Sequence, residues 1–376
     1  MTTIGYYQQK NKEIIDEIVQ TKNLAEATQR VYTHAAANYS YSQDMTMQDL
    51  LDEADEEEDQ RIRMKRRKIK KRMISYKEYL IQEKKEPQTI NIYLGKIKAL
   101  YRFFEIETPT IPPITDTTHE LIEDIPNKKH IRIALETTNN LRVQALILFM
   151  SSSGTSVNET TSLTIQNFID ATKDYHHESS IINVINSLET QEAVVPTFQL
   201  YRKKTHYPYL TFCTPEATQK IVQMLKSRIY KNPELSGEDA LFYRNRGTIS
   251  KHFIRLNDKL GWGRKRNHAF FHPHALRKFF ATELLKSDMD SMTIDFLSGR
   301  TISKTHQAYF KADPQKLKNK YTQFMDNLMI NEKLVYKDVT SNELQELEYY
   351  REKDKQRDKK LQELEKLLME YVHLSD

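Results

Sequence analysis

His274 and Arg277 stand three residues apart at the opening of a helix that continues through Lys278-Phe-Phe-Ala-Thr-Glu-Leu-Leu. Residues at i and i+3 share a helical face, and a histidine and arginine so placed more often cap or salt-bridge a surface than do chemistry. The sequel makes them candidates. Asp288-Met-Asp-Ser-Met-Thr-Ile-Asp-Phe-Leu reads as a second helix, Gly299 ends it, Arg300 follows at once, and Tyr309 comes nine residues after Arg300. Side chains of these types can transfer protons, neutralise an anion and, for tyrosine, form a covalent intermediate. His268, His272 and His274 also invite a metal reading, but there is no second cysteine and no flanking carboxylate at ligand spacing.

The order His-x-x-Arg, the turn Ser298-Gly299-Arg300 and a tyrosine nine positions past the turn residue resembles the signature of the tyrosine recombinase (phage integrase) family, in its archaeal or mobile-element form. The likeness runs from about residue 21 to about residue 330, and position 300 holds Arg where the family usually has His or Trp. The resemblance implies a helical core-binding (SAM-like) domain followed by an α/β catalytic domain of the DNA breaking-rejoining fold. It implies DNA strand cleavage and rejoining with Tyr309 as nucleophile. Arg277 and Arg300 would neutralise the phosphate, and His274 would assist proton transfer at Tyr309 or hydrogen-bond the phosphate. A lysine in a β-turn would protonate the leaving 5′ oxygen, a place that Lys204 fits, with Lys203 the runner-up. A phosphotyrosyl ester conserves the bond energy, so neither cofactor nor metal is implied. The implied partner is double-stranded DNA, bound by a homo-oligomer that forms a synaptic tetramer.

One position departs from the family. After the helix Asn139 to Ser152 the family has Thr-Gly-x-Arg, whose Arg grips the scissile phosphate, and the matching stretch here is Ser153-Gly154-Thr155-Ser156. Losing a guanidinium removes two charge-assisted bonds to a phosphate. Either another basic residue substitutes, or activity is weakened or lost, and a recombinase-like DNA-binding protein is the alternative function. The same stretch lacks the second glycine of a nucleophile elbow, which removes a serine hydrolase from consideration.

Composition agrees with that reading. Lysine and arginine number 57 against 52 acidic residues, a net charge of +5, so any attraction to nucleic acid depends on where charges sit rather than on their sum. Cys213 is the only cysteine, which excludes an intramolecular disulfide. No apolar run approaches the length of a membrane span, and residues 1–20 form a polar tail without an apolar h-region. The expectation is a cytoplasmic protein, nucleoid-associated when on DNA, with no membrane partner. Eight glycines argue for a mainly α chain with a small β-sheet.

Along the chain, residues 21–107 read as the helical DNA-binding domain. An acidic block, Asp52 to Asp59, is answered by a helix from Arg61 dense in Lys and Arg, with Ile62, Ile69, Met73, Tyr76 and Leu80 as its apolar stripe. Arg63, Arg66, Arg67 and Lys70 on the opposite face, with Lys96 and Lys98 on a later helix, are the candidate DNA contacts, although a charge run in isolation reads as a solvated face. Thr89-x-x-x-Tyr93 repeats Thr28-x-x-x-Tyr32, which suggests two stacked helical pairs making a four-helix unit. Residues 108–127, with Thr108-Pro-Thr-Ile-Pro-Pro113, read as a semi-rigid linker, and 128–330 as the catalytic domain. Residues 193–213 read as two strands about a basic turn. Residues 331–376 read as a charged helix with two apolar patches, which either docks on a neighbouring protomer or packs on its own chain.

Overall fold

Tyr39, Tyr76 and Tyr101, all fully buried, lie at the centre of the first of two units into which the chain divides, Met1–Glu120 and Leu121–Asp376. The computed structural model describes residues 3–116, 121–202, 207–265, 268–303, 305, 306, 308, 310 and 313–331. Tyr309, Lys203, Lys204 and the C-terminal segment 332–376 lie outside the described residues.

The first unit comprises α1 (Ile4–Lys10), α2 (Lys12–Thr21), α3 (Glu26–Gln43), α4 (Met47–Asp59), α5 (Lys68–Gln82) and α6 (Pro87–Phe103). Its tyrosines satisfy one another: the Tyr39 and Tyr101 hydroxyls are 3.2 Å apart, and Tyr76 donates to the Ala35 carbonyl at 3.2 Å. Burial without such partners would be costly. Residues 3–20, within the stretch expected to be a tail, instead belong to this core. Ile15 and Ile18 of α2 are buried, and the Asn11 side chain donates to Ser40 Oγ and accepts from the Met47 N–H, each at 2.9 Å. A polar composition concealed this, because one buried asparagine ties the segment to α3 and α4. The Pro-rich stretch likewise begins bound rather than free: Ile114 and Asn91 exchange two hydrogen bonds at 2.8 Å, and Lys77 reaches the Pro112 carbonyl.

The basic run from Arg61 is not one helix. Arg61 adopts a left-handed φ of 53°, a 3-10 turn spans Met64–Arg66, and α5 starts at Lys68. The break folds the acidic block of α4 onto the basic block. Glu53 pairs with Lys68 and Arg72, and both Glu57 carboxylate oxygens accept from the Lys68 N–H at the start of α5.

In the second unit, α8 (Leu141–Ser153) is apolar nearly all round and is the central helix, as a helix without a polar face must be. It packs on α12 (Pro215–Lys231) and α14 (Pro273–Lys286). Around these lie α7 (Lys128–Thr137), α9 (Val157–Ser162), α10 (Ile165–Ala171), α11 (Ile181–Glu189), α13 (Arg246–Lys259), α15 (Ser291–Leu297) and α16 (Pro314–Phe324). The strands β1 (Thr197–Arg202) and β2 (Tyr207–Phe212) pair antiparallel, with Thr197 opposite Phe212 and Arg202 opposite Tyr207. A second hairpin, β3 (Arg264–Lys265) with β4 (His268–Ala269), is only two residues long on each side. The fold is mainly helical with small antiparallel sheets, as expected. Tyr321 of α16 is fully buried and donates to the Ser152 carbonyl at 2.8 Å, so it is a packing residue.

Candidate active site

Three chain turns meet at Arg277. The first ends α8, where Gly154 takes a left-handed φ of 64° and its carbonyl accepts from Arg277 Nη1 at 2.9 Å. A Cβ there would fall against the Phe280 ring, so glycine is required both by φ and by the approach of α14. Ser156 follows as N-cap of α9, and its N–H donates to Glu159 Oε2 at 2.8 Å, leaving Glu159 buried beside the turn. The second turn opens α14. Pro273 occupies its first position, His274 is exposed in its first turn, and Arg277 lies one turn deeper and only 4 % exposed. His272, the N-cap residue, is held below the usual histidine range by burial and stacks at 5.6 Å on His268.

The third turn ends α15. Gly299 has φ 63°, and a Cβ there would meet the Tyr209 ring at 2.6 Å. Arg300 then emerges exposed, pairing through Nη1 with Asp295 Oδ1 at 2.9 Å. Phe310, the residue after Tyr309, stacks on Phe296 of α15 at 4.8 Å. Arg202, at the end of β1, also reaches this turn: its Nη1 donates to the Gly299 carbonyl at 2.5 Å and to that of Ser298 at 3.4 Å.

Electrostatically the cluster is under stress. Burial pushes the Arg277 guanidinium down to about 10, and the charges of Arg202 and, less strongly, Arg300 act in the same direction against Tyr209 and Glu159. A guanidinium nevertheless keeps its proton near neutrality, so Arg277 stays charged in the interior, with Glu159 as the nearby carboxylate that favours its charge. The Tyr209 hydroxyl is fully buried with no hydrogen-bond partner among the described residues, and burial raises its pKa well above the ordinary value. Such a place suits an anion with several acceptor oxygens.

Of the expected site residues, the structure therefore gathers Arg277 and Arg300 on neighbouring turns, with His274 one helical turn from Arg277. Arg202, Tyr209 and Glu159 join them and are not among the residues expected from the sequence. Ser156-x-x-Glu159 has the spacing of a capping box and is legible in the sequence, whereas nothing in the sequence sets Arg202 apart from the two lysines that follow it.

In the first unit the candidate DNA contacts separate. Arg63 and Arg66 are exposed and Lys70 half-buried, with no ion pair to any described residue. Lys96 lies 4.6 Å over the Tyr32 ring, and burial together with Arg102 lowers the pKa of Lys98. Arg67 must be withdrawn from the set. It is 6 % exposed, donates through Nε to the Ile62 carbonyl at 2.7 Å and pairs with Glu58 at 3.1 Å, because the break before α5 turns it inward.

The helical second unit with its hairpin has the architecture of tyrosine-recombinase catalytic folds. A lambda integrase dimer bound to a COC′ core site matches the chain with a TM-score of 0.51 at 12 % identity, over 81 % of this chain and 78 % of that one, a likeness of fold. Tyrosine recombinase XerA of Saccharolobus solfataricus is 23 % identical over 248 residues, 65 % of this chain and 71 % of that protein. Tyrosine recombinase XerC of Histophilus somni is 27 % identical over 183 residues, and the match spans about half of that protein (53 %). The phage integrase family profile matches residues 122–316, just over half of the chain. The chain belongs to the phage integrase family, the tyrosine-type site-specific DNA recombinases.

Proposed function

We propose that this protein cleaves and rejoins duplex DNA through a 3′-phosphotyrosyl intermediate formed by Tyr309. The observation that carries the proposal is the surplus of guanidinium charge about the buried Arg277, next to turns whose sequence order matches the family signature. In the reaction the Tyr309 oxygen loses its proton and bonds to phosphorus. The bond from phosphorus to the 5′ oxygen breaks, and that oxygen takes up a proton, with Lys204 as donor and Lys203 as the second candidate. Arg277 and Arg300 offset the charge that accumulates on the non-bridging oxygens. His274, exposed on the first turn of α14, serves the attacking hydroxyl or the phosphate. Rejoining reverses these steps without an external energy source, because the ester retains the bond energy.

We further propose that Arg63, Arg66, Lys70, Lys96 and Lys98 contact DNA phosphates, and that the protein acts as a homo-oligomer joining two bound sites. The test of the chemistry is covalent trapping on a nicked duplex carrying the target sequence. The wild type is expected to give a protease-sensitive adduct and Tyr309→Phe none, at equal DNA affinity, since Phe keeps the ring but removes the attacking atom. An adduct persisting in Tyr309→Phe would remove the assignment. Ser156 supports a second reading, DNA binding without cleavage, which absence of any adduct from the wild type on a verified site would favour.

A further inference from the structure

The position that should carry an arginine holds Ser156, yet the surroundings of Arg277 are not short of charge. Arg202 approaches from the end of β1, and apart from burial its charge is the largest influence on Arg277, exceeding that of Arg300. Among the described residues Arg202 is engaged through Nη1, by the carbonyls of Gly299 and Ser298. A guanidinium has five N–H donors, so those on Nε and Nη2 have no acceptor among the described residues. The nearby carboxylates are committed, Glu159 to the Ser156 N–H and Asp295 to Arg300. The hydroxyls of Tyr209 and Ser298, both buried and both beside or within the same turn, have no hydrogen-bond partner among the described residues. Buried hydroxyls without a partner are unfavourable, and the half-buried Arg202 has donors to spare beside them, so one oxyanion bound at this turn would give both an acceptor.

We propose that Arg202 grips the scissile phosphate together with Arg277, supplying from β1 the guanidinium that Ser156 does not. This rests on the recombinase reading of the site. Its two main-chain acceptors fix the Arg202 side chain against the turn that carries Arg300, so the phosphate meets guanidiniums from α14, β1 and the end of α15. Tyr209, pressed on Gly299, adds a hydroxyl donor at the same turn.

The discriminating variant is Arg202→Gln, which retains an N–H donor for the Gly299 carbonyl while removing the charge. On a nicked duplex bearing the target site, the initial rate of adduct formation is expected to fall by about 10²–10³, with DNA affinity and melting temperature close to wild type. Adding Ser156→Arg to Arg202→Gln is expected to recover at least about tenfold of that loss. Replacing the scissile phosphate by a neutral methylphosphonate should narrow the gap between wild type and Arg202→Gln, since the charge to be neutralised is smaller. Arg202→Gln reacting as fast as wild type would overturn the inference. So would a slow Arg202→Gln that Ser156→Arg does not rescue and whose deficit is unchanged on methylphosphonate, which is the behaviour of a residue that only braces the turn. Failure of the wild type to form a Tyr309-dependent adduct overturns the recombinase reading, and this inference with it.

Discussion

Gly154 and Gly299 show how much of the site rests on residues with no side chain. Each lies at a helix end with φ above +60°, and each has an aromatic ring where a Cβ would stand, Phe280 for Gly154 and Tyr209 for Gly299. Replacing Gly154 by Ala combines left-handed strain with overpacking against α14, and is expected to destabilise the protein by about 2–4 kcal/mol in urea unfolding. It should also slow adduct formation, since the Gly154 carbonyl is the acceptor that holds Arg277. Gly95 provides the contrast. It lies inside α6 with nothing near its missing Cβ, so Gly95→Ala should raise stability by about 0.5–1 kcal/mol. A Gly154→Ala protein as stable as wild type would contradict the geometry. Gly299 was legible in the sequence as the end of a helix, and Arg277 and Arg300 as site candidates. That Arg277 is buried was not, because its depth depends on α8 ending where α14 crosses it.

The elements were easier to read than their partners. The period of α5 correctly put Ile69, Met73, Tyr76 and Leu80 inside, and the Thr214-Pro215-Glu216 start of α12 reads as a cap in sequence and is one in the fold. The basic helix from Arg61 was misread because its charges balance those of α4 across a sharp turn, and periodicity carries no information about a neighbour in space. Arg67→Ala should cost the first unit about 1–3 kcal/mol, a figure reduced for the partial exposure of Glu58, while leaving the salt dependence of DNA binding unchanged. Arg63→Ala and Arg66→Ala should do the reverse. Stability should change by no more than about 0.5 kcal/mol, and the slope of log K against log salt should shrink by roughly 0.9 for each phosphate no longer neutralised. If Arg67→Ala alone flattened the slope, the inward placement of Arg67 would be wrong for the protein in solution.

At the scale of the whole molecule, near balance between 57 basic and 52 acidic residues means that no broad positive field draws in DNA. Attraction has to come from local patches, and several acidic residues are already committed within the protein: Glu53 and Glu58 of α4 to basic residues of α5 and its approach, Glu159 to the Ser156 N–H. Each unit has its own hydrophobic core, one around Tyr39, Tyr76 and Tyr101 and the other around α8, so each meets the condition for folding alone. If both bind one duplex, as the proposed function requires, the second contact becomes intramolecular once the first has formed. The full chain is then expected to bind its site about 10²–10⁴ times more tightly than a fragment of residues 121–331 at equal salt, and its salt slope should approach the sum of the slopes of the two fragments. Fluorescence anisotropy over a salt series, with circular dichroism to establish that both fragments are folded, measures this directly. A 121–331 fragment that binds as tightly as the full chain, with the same slope, would show that the first unit does not engage phosphates and would return Arg63, Arg66 and Lys70 to the role of a solvated surface.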